Sequence, residues 1–244
     1  MTQTQTVHPP RDVVSYVRRS SRMTDSQRRW LDRHAERWLV PFQAGPRTRS
    51  VAPQPALDRL ALFGRQADLV LEIGCGHGES LTAAAQLHPE TDFLGCEVFE
   101  PALAATLGKI AAAGLTNVRL LAGDGQGALE HLIAPDGLAQ LWVFFPDPWP
   151  KTRHHKRRLV SAPFAALAAS RLRPGGWLRL ATDWPDYAAA MVEALDATEA
   201  LTAFPSGRFG ERPETKFERR ARQQGRAVQD LTYRRLDRPA PTRP

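Results

Sequence analysis

The sequence predicts an α/β doubly wound fold, with a mostly parallel central sheet and helices on both faces. Three observations point there. From Asp68 onward, short apolar runs alternate with Ala-rich segments of helical period, the pattern of repeated βα units. The first run leads into a glycine cluster, Gly74, Gly76 and Gly78. Acidic residues stand at the ends of the first three runs, Glu72, Glu97 and Asp124, at the edge where open α/β sheets bind ligands.

Taken in order, residues 1–50 mix Arg with Ser, Thr, Gln and Pro, and Pro41, Pro46, Pro53 and Pro55 interrupt any long helix before the core. One short amphipathic helix is expected from Asp25 to Leu39, with Trp30, His34 and Trp38 on one face. Strands are expected over 68–73, 92–97, 117–122, 139–146 and 176–182, and helices over 78–88, 100–113, 125–133, 159–171 and 186–198. Arg173-Pro174-Gly175-Gly176 is the turn expected before the fifth strand. The domain reading is a basic, partly disordered arm over 1–55, a catalytic domain over 56–238 and a flexible tail over 239–244.

The hydrophobic fraction of 42% is enough for a sizeable core. No stretch approaches the roughly 20 apolar residues of a membrane span, and the first residues lack the apolar core of a signal peptide, so a cytoplasmic location is expected. Cys75 and Cys96 have no metal-ligand spacing and read as small buried hydrophobes; no metal is expected. The net charge of +7 hides an asymmetry: residues 51–150 hold 4 Lys/Arg against 12 Asp/Glu, and everything else is basic. An acidic module edged by basic surfaces suits a polyanionic partner, and a merely solvated basic face has the same composition.

The loop Glu72-Ile73-Gly74-Cys75-Gly76-His77-Gly78 lets the backbone approach a ligand without Cβ interference. A dinucleotide fingerprint would need glycine where Glu79 stands, and an acid there opposes a pyrophosphate. No phosphate-binding GxxxxGK[ST] is present. Glu97 lies nineteen residues past Gly78, near the spacing of about 20 at which a carboxylate meets ribose hydroxyls. Asp124, between Gly123 and Gly125, suits an adenine amino group. The acidic rim favours the cationic methionyl part of S-adenosylmethionine. Each residue also has a plainer use: the glycines as a tight turn, Asp124 as a helix cap, Glu72 as a solvated acid.

After the fourth strand comes Phe144-Phe145-Pro146-Asp147-Pro148-Trp149-Pro150-Lys151, then Thr152-Arg153-His154-His155-Lys156-Arg157-Arg158. This stretch resembles the bacterial tRNA (guanine-N7-)-methyltransferase family. The resemblance runs from Val14, Arg18 and Arg19 through LEIGCGHGES, LGCEV and the ATDW around Asp183 to Arg212-Pro213-Glu214-Thr215-Lys216-Phe217-Glu218-Arg219-Arg220. It implies a class I methyltransferase fold, Rossmann-like, with a seven-stranded sheet and a last antiparallel strand near Val228 to Leu236. It also implies methyl transfer from S-adenosylmethionine to N7 of a variable-loop guanine in tRNA. Pro150 departs from the family pattern, where many relatives carry a polar residue such as His.

Two prolines stiffen the loop around Asp147, which suits a fixed carboxylate. Asp147 is the candidate catalytic residue, receiving the guanine N1/N2 edge rather than acting as a strict base. The resemblance also implies Glu72, Glu97, Asp124 and Asp147 as cofactor contacts, beside Gly74 and Gly76 of the loop, and Lys151, Asp183, Thr215, Lys216, Phe217 and Glu218 as acceptor contacts. Trp149 is expected to offer a stacking face to a base, and Arg153, His154, His155, Lys156, Arg157 and Arg158 to meet phosphates. The plainer uses here are an Asx turn at Asp147, a helix start at Asp183 and a solvated helix start over 151–158.

Two rival functions share much of this. A class I methyltransferase acting on a small molecule has no need of the basic run, and a non-enzymatic RNA-binding protein on this fold would have no need of the cofactor carboxylates. Monomer and homodimer are both open.

Overall fold

The computed structural model describes residues 14–16, 22–205, 207–210 and 212–237, with Phe217 by its backbone alone. Arg18, Arg19 and the expected tail lie outside the described residues.

Five parallel strands, β1 (Leu69–Ile73), β2 (Asp92–Cys96), β3 (Val118–Leu121), β4 (Leu138–Phe144) and β5 (Leu172–Thr182), join β6 (Leu201–Ala203) and β7 (Gln229–Arg235) in one sheet. The order is β3-β2-β1-β4-β5-β7-β6, with β7 antiparallel to both its neighbours. The reversal between β1 and β4 opens a crevice at their carboxyl ends, which is where a doubly wound sheet holds its ligand.

Side chains alternate across the sheet with period two and feed two separate cores. Leu69, Leu71, Ile73, Leu141, Val143, Leu178 and Leu180 face one layer. There they meet α5 (Gly125–His131), α6 (Ala162–Arg171) and α7 (Pro185–Asp196) through Leu129, Phe164, Tyr187 and Met191. Val70, Phe93, Val118, Leu120, Trp142 and Phe144 face the other layer, against α3 (Glu79–Leu87) and α4 (Glu100–Ala112). Cys75 and Cys96 are buried free thiols, which burial raises above their usual range.

The helix α1 (Asp25–Trp38) starts at a capping box between Thr24 and Gln27. Trp30 stacks on His34 at 5.0 Å, and Trp38 donates its indole N–H to the Leu115 carbonyl at 3.0 Å. The stripe read from the sequence thus faces α4, where Gly108 leaves room for the Trp30 ring. Beyond α1 the chain stays on the domain: Val40 donates to Leu120 at the free side of β3, and Val40 and Val51 are buried. A short helix α2 (Arg59–Phe63), capped by Asp58 and closed by left-handed Gly64, leads into β1.

The turn expected at Arg173–Gly176 lies inside β5 rather than before it. Leu172 pairs with Leu138, and pairing resumes at Trp177 opposite Gln140. Pro174 has no N–H to give and Gly175 takes a φ of 73°, so the four residues bulge out without ending the strand. The helix expected from residue 159 begins at Ala162, after Leu159 and Val160, which are buried in the core.

Candidate functional site

A cavity of about 210 Å³ lies at the carboxyl ends of β1, β2 and β4. The glycine loop forms one wall, with Gly74, Gly76 and Gly78 all at positive φ. At Gly78 a side chain would also drive into Thr106, whose hydroxyl donates to the Gly76 carbonyl at 3.0 Å. The tight-turn use and the cavity-lining use coincide at Gly74 and Gly76, while Gly78 stands at the cap of α3.

Glu72, Glu97, Asp124 and Asp147 all line this cavity. Glu97 is held by three backbone N–H groups at 2.8 Å, from Gly76 to one oxygen and from Val98 and Phe99 to the other. Asp124 caps α5, accepting from the Gly127 N–H at 2.7 Å, and lines the cavity as well. Glu72 is not solvated: it is 3% exposed, and burial, reinforced by Glu97, pushes its carboxyl up to about 8. Its Oε2 lies buried with no hydrogen-bond partner among the described residues.

Asp147 stands on the loop after β4, between two residues in left-handed conformation, Phe145 at φ 51° and Trp149 at φ 46°. Non-glycine residues adopt that region only when their surroundings hold them there. The Phe145 N–H donates to Ala181 at 2.8 Å, Arg158 Nε donates to the Pro148 carbonyl at 2.9 Å, and Trp149 Nε1 donates to Ser15 at 3.2 Å. The loop is pinned on both sides of its carboxylate.

The far wall comes from the segment after β6. Thr215 and Lys216 line the cavity at the start of α8 (Lys216–Gln223), which Thr215 caps through the Glu218 N–H. The Lys216 N–H donates to Glu79 at 3.3 Å, joining the first turns of α3 and α8. The Phe217 side chain lies outside what the structure describes.

Several expected contacts fall elsewhere. One face of Trp149 is covered: Arg157 lies over its ring at 4.8 Å, and His154 meets it edge-on at 5.9 Å. Arg158 is not at the surface. It is 9% exposed, pairs with Asp186 at 2.5 Å and lies over Tyr187, because its place at the end of the 3-10 turn Thr152–Arg157 turns it onto α7. Lys151, Arg153 and Lys156 are exposed. Partial desolvation, and then the cations Arg153, Arg157, Lys151 and Lys156, hold His154 below the usual imidazole range. Asp183 lies outside the cavity wall and receives Arg226 through Nε at 2.8 Å and Nη2 at 2.7 Å. His155 lies 3.8 Å from Asp186.

Sequence reasoning passed over one residue at the centre of this architecture. Arg212, fully buried, reaches Glu218 at 3.1 Å and both oxygens of Asp230 at 2.8 and 2.9 Å, while its guanidinium lies over Phe144 and Phe145. It thereby fixes α8 against β7 and against the root of the Asp147 loop. The only signal was its place three residues before Thr215 of the TKFE run, since an arginine in a polar, Arg-rich segment reads as solvent-exposed. No group of three or more His, Cys, Asp or Glu among the described residues is placed to hold a metal, and none of the described helices is long and apolar enough to cross a membrane.

Residues 66–231 match a family model described as a putative methyltransferase. The chain is 50% identical to the tRNA (guanine-N(7)-)-methyltransferase of Nocardioides sp. over 92% of its length and 88% of that protein's. It is 48% identical to the enzyme of the same name from Cutibacterium acnes, over 93% and 84%, and 47% identical to that from Methylococcus capsulatus, over 93% and 96%. Among solved structures, the 16S rRNA methyltransferase KamB is similar at a TM-score of 0.56 and 19% identity, covering 81% of this chain and 100% of that one, a likeness of fold.

Proposed function

The chain belongs to the tRNA (guanine-N(7)-)-methyltransferase family, and on that premise we propose a division of labour within its cavity for methylating N7 of a tRNA guanine. The methyl donor in this reading is S-adenosylmethionine, and the target is a guanine of the variable loop. Because the substrate is tRNA, the activity is placed in the cytoplasm.

One observation carries the reading: the glycine loop with its three strand-end carboxylates shares a single cavity with Asp147 and Thr215. The donor residues fit an organic cation bearing a nucleoside. Glu72 offers a buried oxygen without a partner, and Glu97 is already oriented by Gly76, Val98 and Phe99, with one lone-pair site left on Oε2 for a ribose hydroxyl. Asp124 faces the same space beside Gly123 and Gly125. When bound, S-adenosylmethionine supplies a methyl group made electrophilic by its sulfonium.

The protein's task on the acceptor side is placement. Guanine N7 carries an unprotonated lone pair at neutral pH, so attack requires orientation rather than proton removal. Asp147, held between its two strained neighbours, accepts hydrogen bonds from the N1/N2 edge of guanine and offsets the positive charge that grows on the purine. Thr215 and Lys216 close the acceptor side, with Lys151, Asp183 and the ion-paired Glu218 at its margin. Exposed Arg153 and Lys156, with Arg157 and the two histidines, line a phosphate-binding rim. Phe217 belongs to the same acceptor group.

The test is methyl transfer from labelled S-adenosylmethionine to an unmodified tRNA transcript, read by the strand scission that 7-methylguanine permits after reduction and aniline. Scission at one variable-loop guanine is the expected result. Incorporation elsewhere in the transcript would overturn the assigned target, and none at all would overturn the acceptor reading.

A further inference from the structure

Glu72 is the penultimate residue of β1, on the face of the sheet that Val70 shares with α3, and it is buried almost completely. Three acidic or weakly acidic groups face it: Glu97 from the end of β2, Glu79 from the first turn of α3, and the Cys75 thiol from the glycine loop. The cation acting on it is Arg212, whose Nη groups are engaged by Glu218 and Asp230. The Leu81 backbone N–H offers one hydrogen bond, and Oε2 has none among the described residues. A buried carboxylate with negative neighbours and an unserved oxygen is unfavourable as an anion.

We propose that Glu72 carries a proton in the free protein and gives it up when a cationic ligand enters, so that binding exchanges one proton for one organic cation. The inference rests on the cofactor reading above. The O–H bond of the carboxyl breaks, the proton passes to bulk buffer, and the positive group of the ligand takes over as countercharge. Desolvation and Glu97 raise the group to about 8, so at neutral pH most molecules hold the proton. A cation placed against the carboxylate reverses the balance, because an opposite charge at contact distance favours the ionised form. The exchange makes the cavity selective for charge: a neutral nucleoside of the same shape leaves the proton in place.

The measurement is isothermal titration calorimetry of S-adenosylmethionine binding at pH 7 in two buffers of widely different ionisation enthalpy. The difference in heat should correspond to release of about one proton per ligand. Affinity should rise about tenfold between pH 6 and pH 7, below the folded-state value of Glu72. Both effects should vanish in Glu72→Gln, which keeps the shape of the neutral acid and leaves the rest of the cavity lining, His77 included, in place. Adenosine should bind without proton release.

Binding whose heat is independent of buffer would overturn the exchange and leave the cofactor reading standing, as would an undiminished proton release in Glu72→Gln. If S-adenosylmethionine gives no saturable binding in either buffer, the cofactor reading fails and the exchange with it. Absence of buffer dependence in the wild type overturns the exchange even where the variant binds too weakly to titrate.

Discussion

The N–H of Gly76 donates to Oε2 of Glu97 at 2.8 Å, latching the glycine loop to the end of the second strand. With Oε1 fixed by Val98 and Phe99, the carboxylate is oriented before any ligand arrives. Glu97→Ala should therefore disturb the loop as well as remove an acceptor of a ribose hydroxyl. Hydrogen bonds to a charged group contribute about 1.5–3 kcal/mol each, so affinity for S-adenosylhomocysteine should fall by more than about tenfold in a calorimetric titration. Unchanged affinity would remove Glu97 from the cofactor site.

Arg212 makes a different prediction, about stability. Replacing it by Met leaves Asp230, its side chain 10% exposed, without its cation, and leaves Glu218 to Arg208 alone. Breaking a buried pair by removing one partner costs about 3–5 kcal/mol, which a urea titration would register as a lower midpoint. A loss under about 1 kcal/mol would mean that α8 is held by other contacts.

The parts of this molecule that were legible in the sequence are those where local pattern and tertiary role agree. β1 to β4 are buried on both faces and read as apolar runs, and Gly74, Gly76 and Gly78 were visible because the turn requires their positive φ. Where long-range contacts decide, the sequence was silent. β6 is three residues long and exists only by pairing with β7, and β5 continues through Pro174 and Gly175 because Leu138 holds its first residue. Arg158 and Arg212 look like surface cations until Asp186, Glu218 and Asp230 are brought to them by the fold. Nor did the sequence show that Arg157 lies over one face of Trp149.

The raised carboxyl of Glu72 links stability to pH with a definite sign. The folded state holds the proton more tightly than the unfolded chain, whose value is near 4.5. The stability it contributes is full below pH 4.5 and is lost as pH rises toward 8. Glu72→Gln cannot ionise and escapes that loss. Its advantage over wild type should grow by on the order of 1 kcal/mol per pH unit across that window and level off above it. Denaturation midpoints at pH 5, 6 and 7 check this. A constant difference would place the ionisation of Glu72 in its ordinary range.

Asp147 lines the cavity on a loop pinned at Ala181, Ser15 and Arg158, so truncating it removes a carboxylate without releasing the backbone that carries it. Asp147→Ala should leave cofactor affinity within a few fold and lower single-turnover methyl transfer by more than about tenfold, equivalent to about 1.4 kcal/mol on the barrier. Full activity in the variant would end its role in placing guanine.

Two neighbouring cations in the run after Asp147 should behave oppositely, which tests the rim as distinct from the fold. Lys156 is exposed on the 3-10 turn, while the side chain of Arg158, two residues on, is 6% exposed and bound to Asp186 and to the Pro148 carbonyl. A cation that meets phosphate releases counterions, so Lys156→Ala should weaken tRNA binding, reduce the slope of log affinity against log salt by about one, and leave the unfolding midpoint unchanged. Arg158→Ala should lower stability by about 2 kcal/mol or more, since it strands the Pro148 carbonyl and Asp186 together. Its salt slope should stay at the wild-type value under conditions where the variant is folded. If the slope fell for Arg158→Ala and not for Lys156→Ala, Arg158 would have to leave its pocket in the complex, and the loop carrying Asp147 would have to move with it.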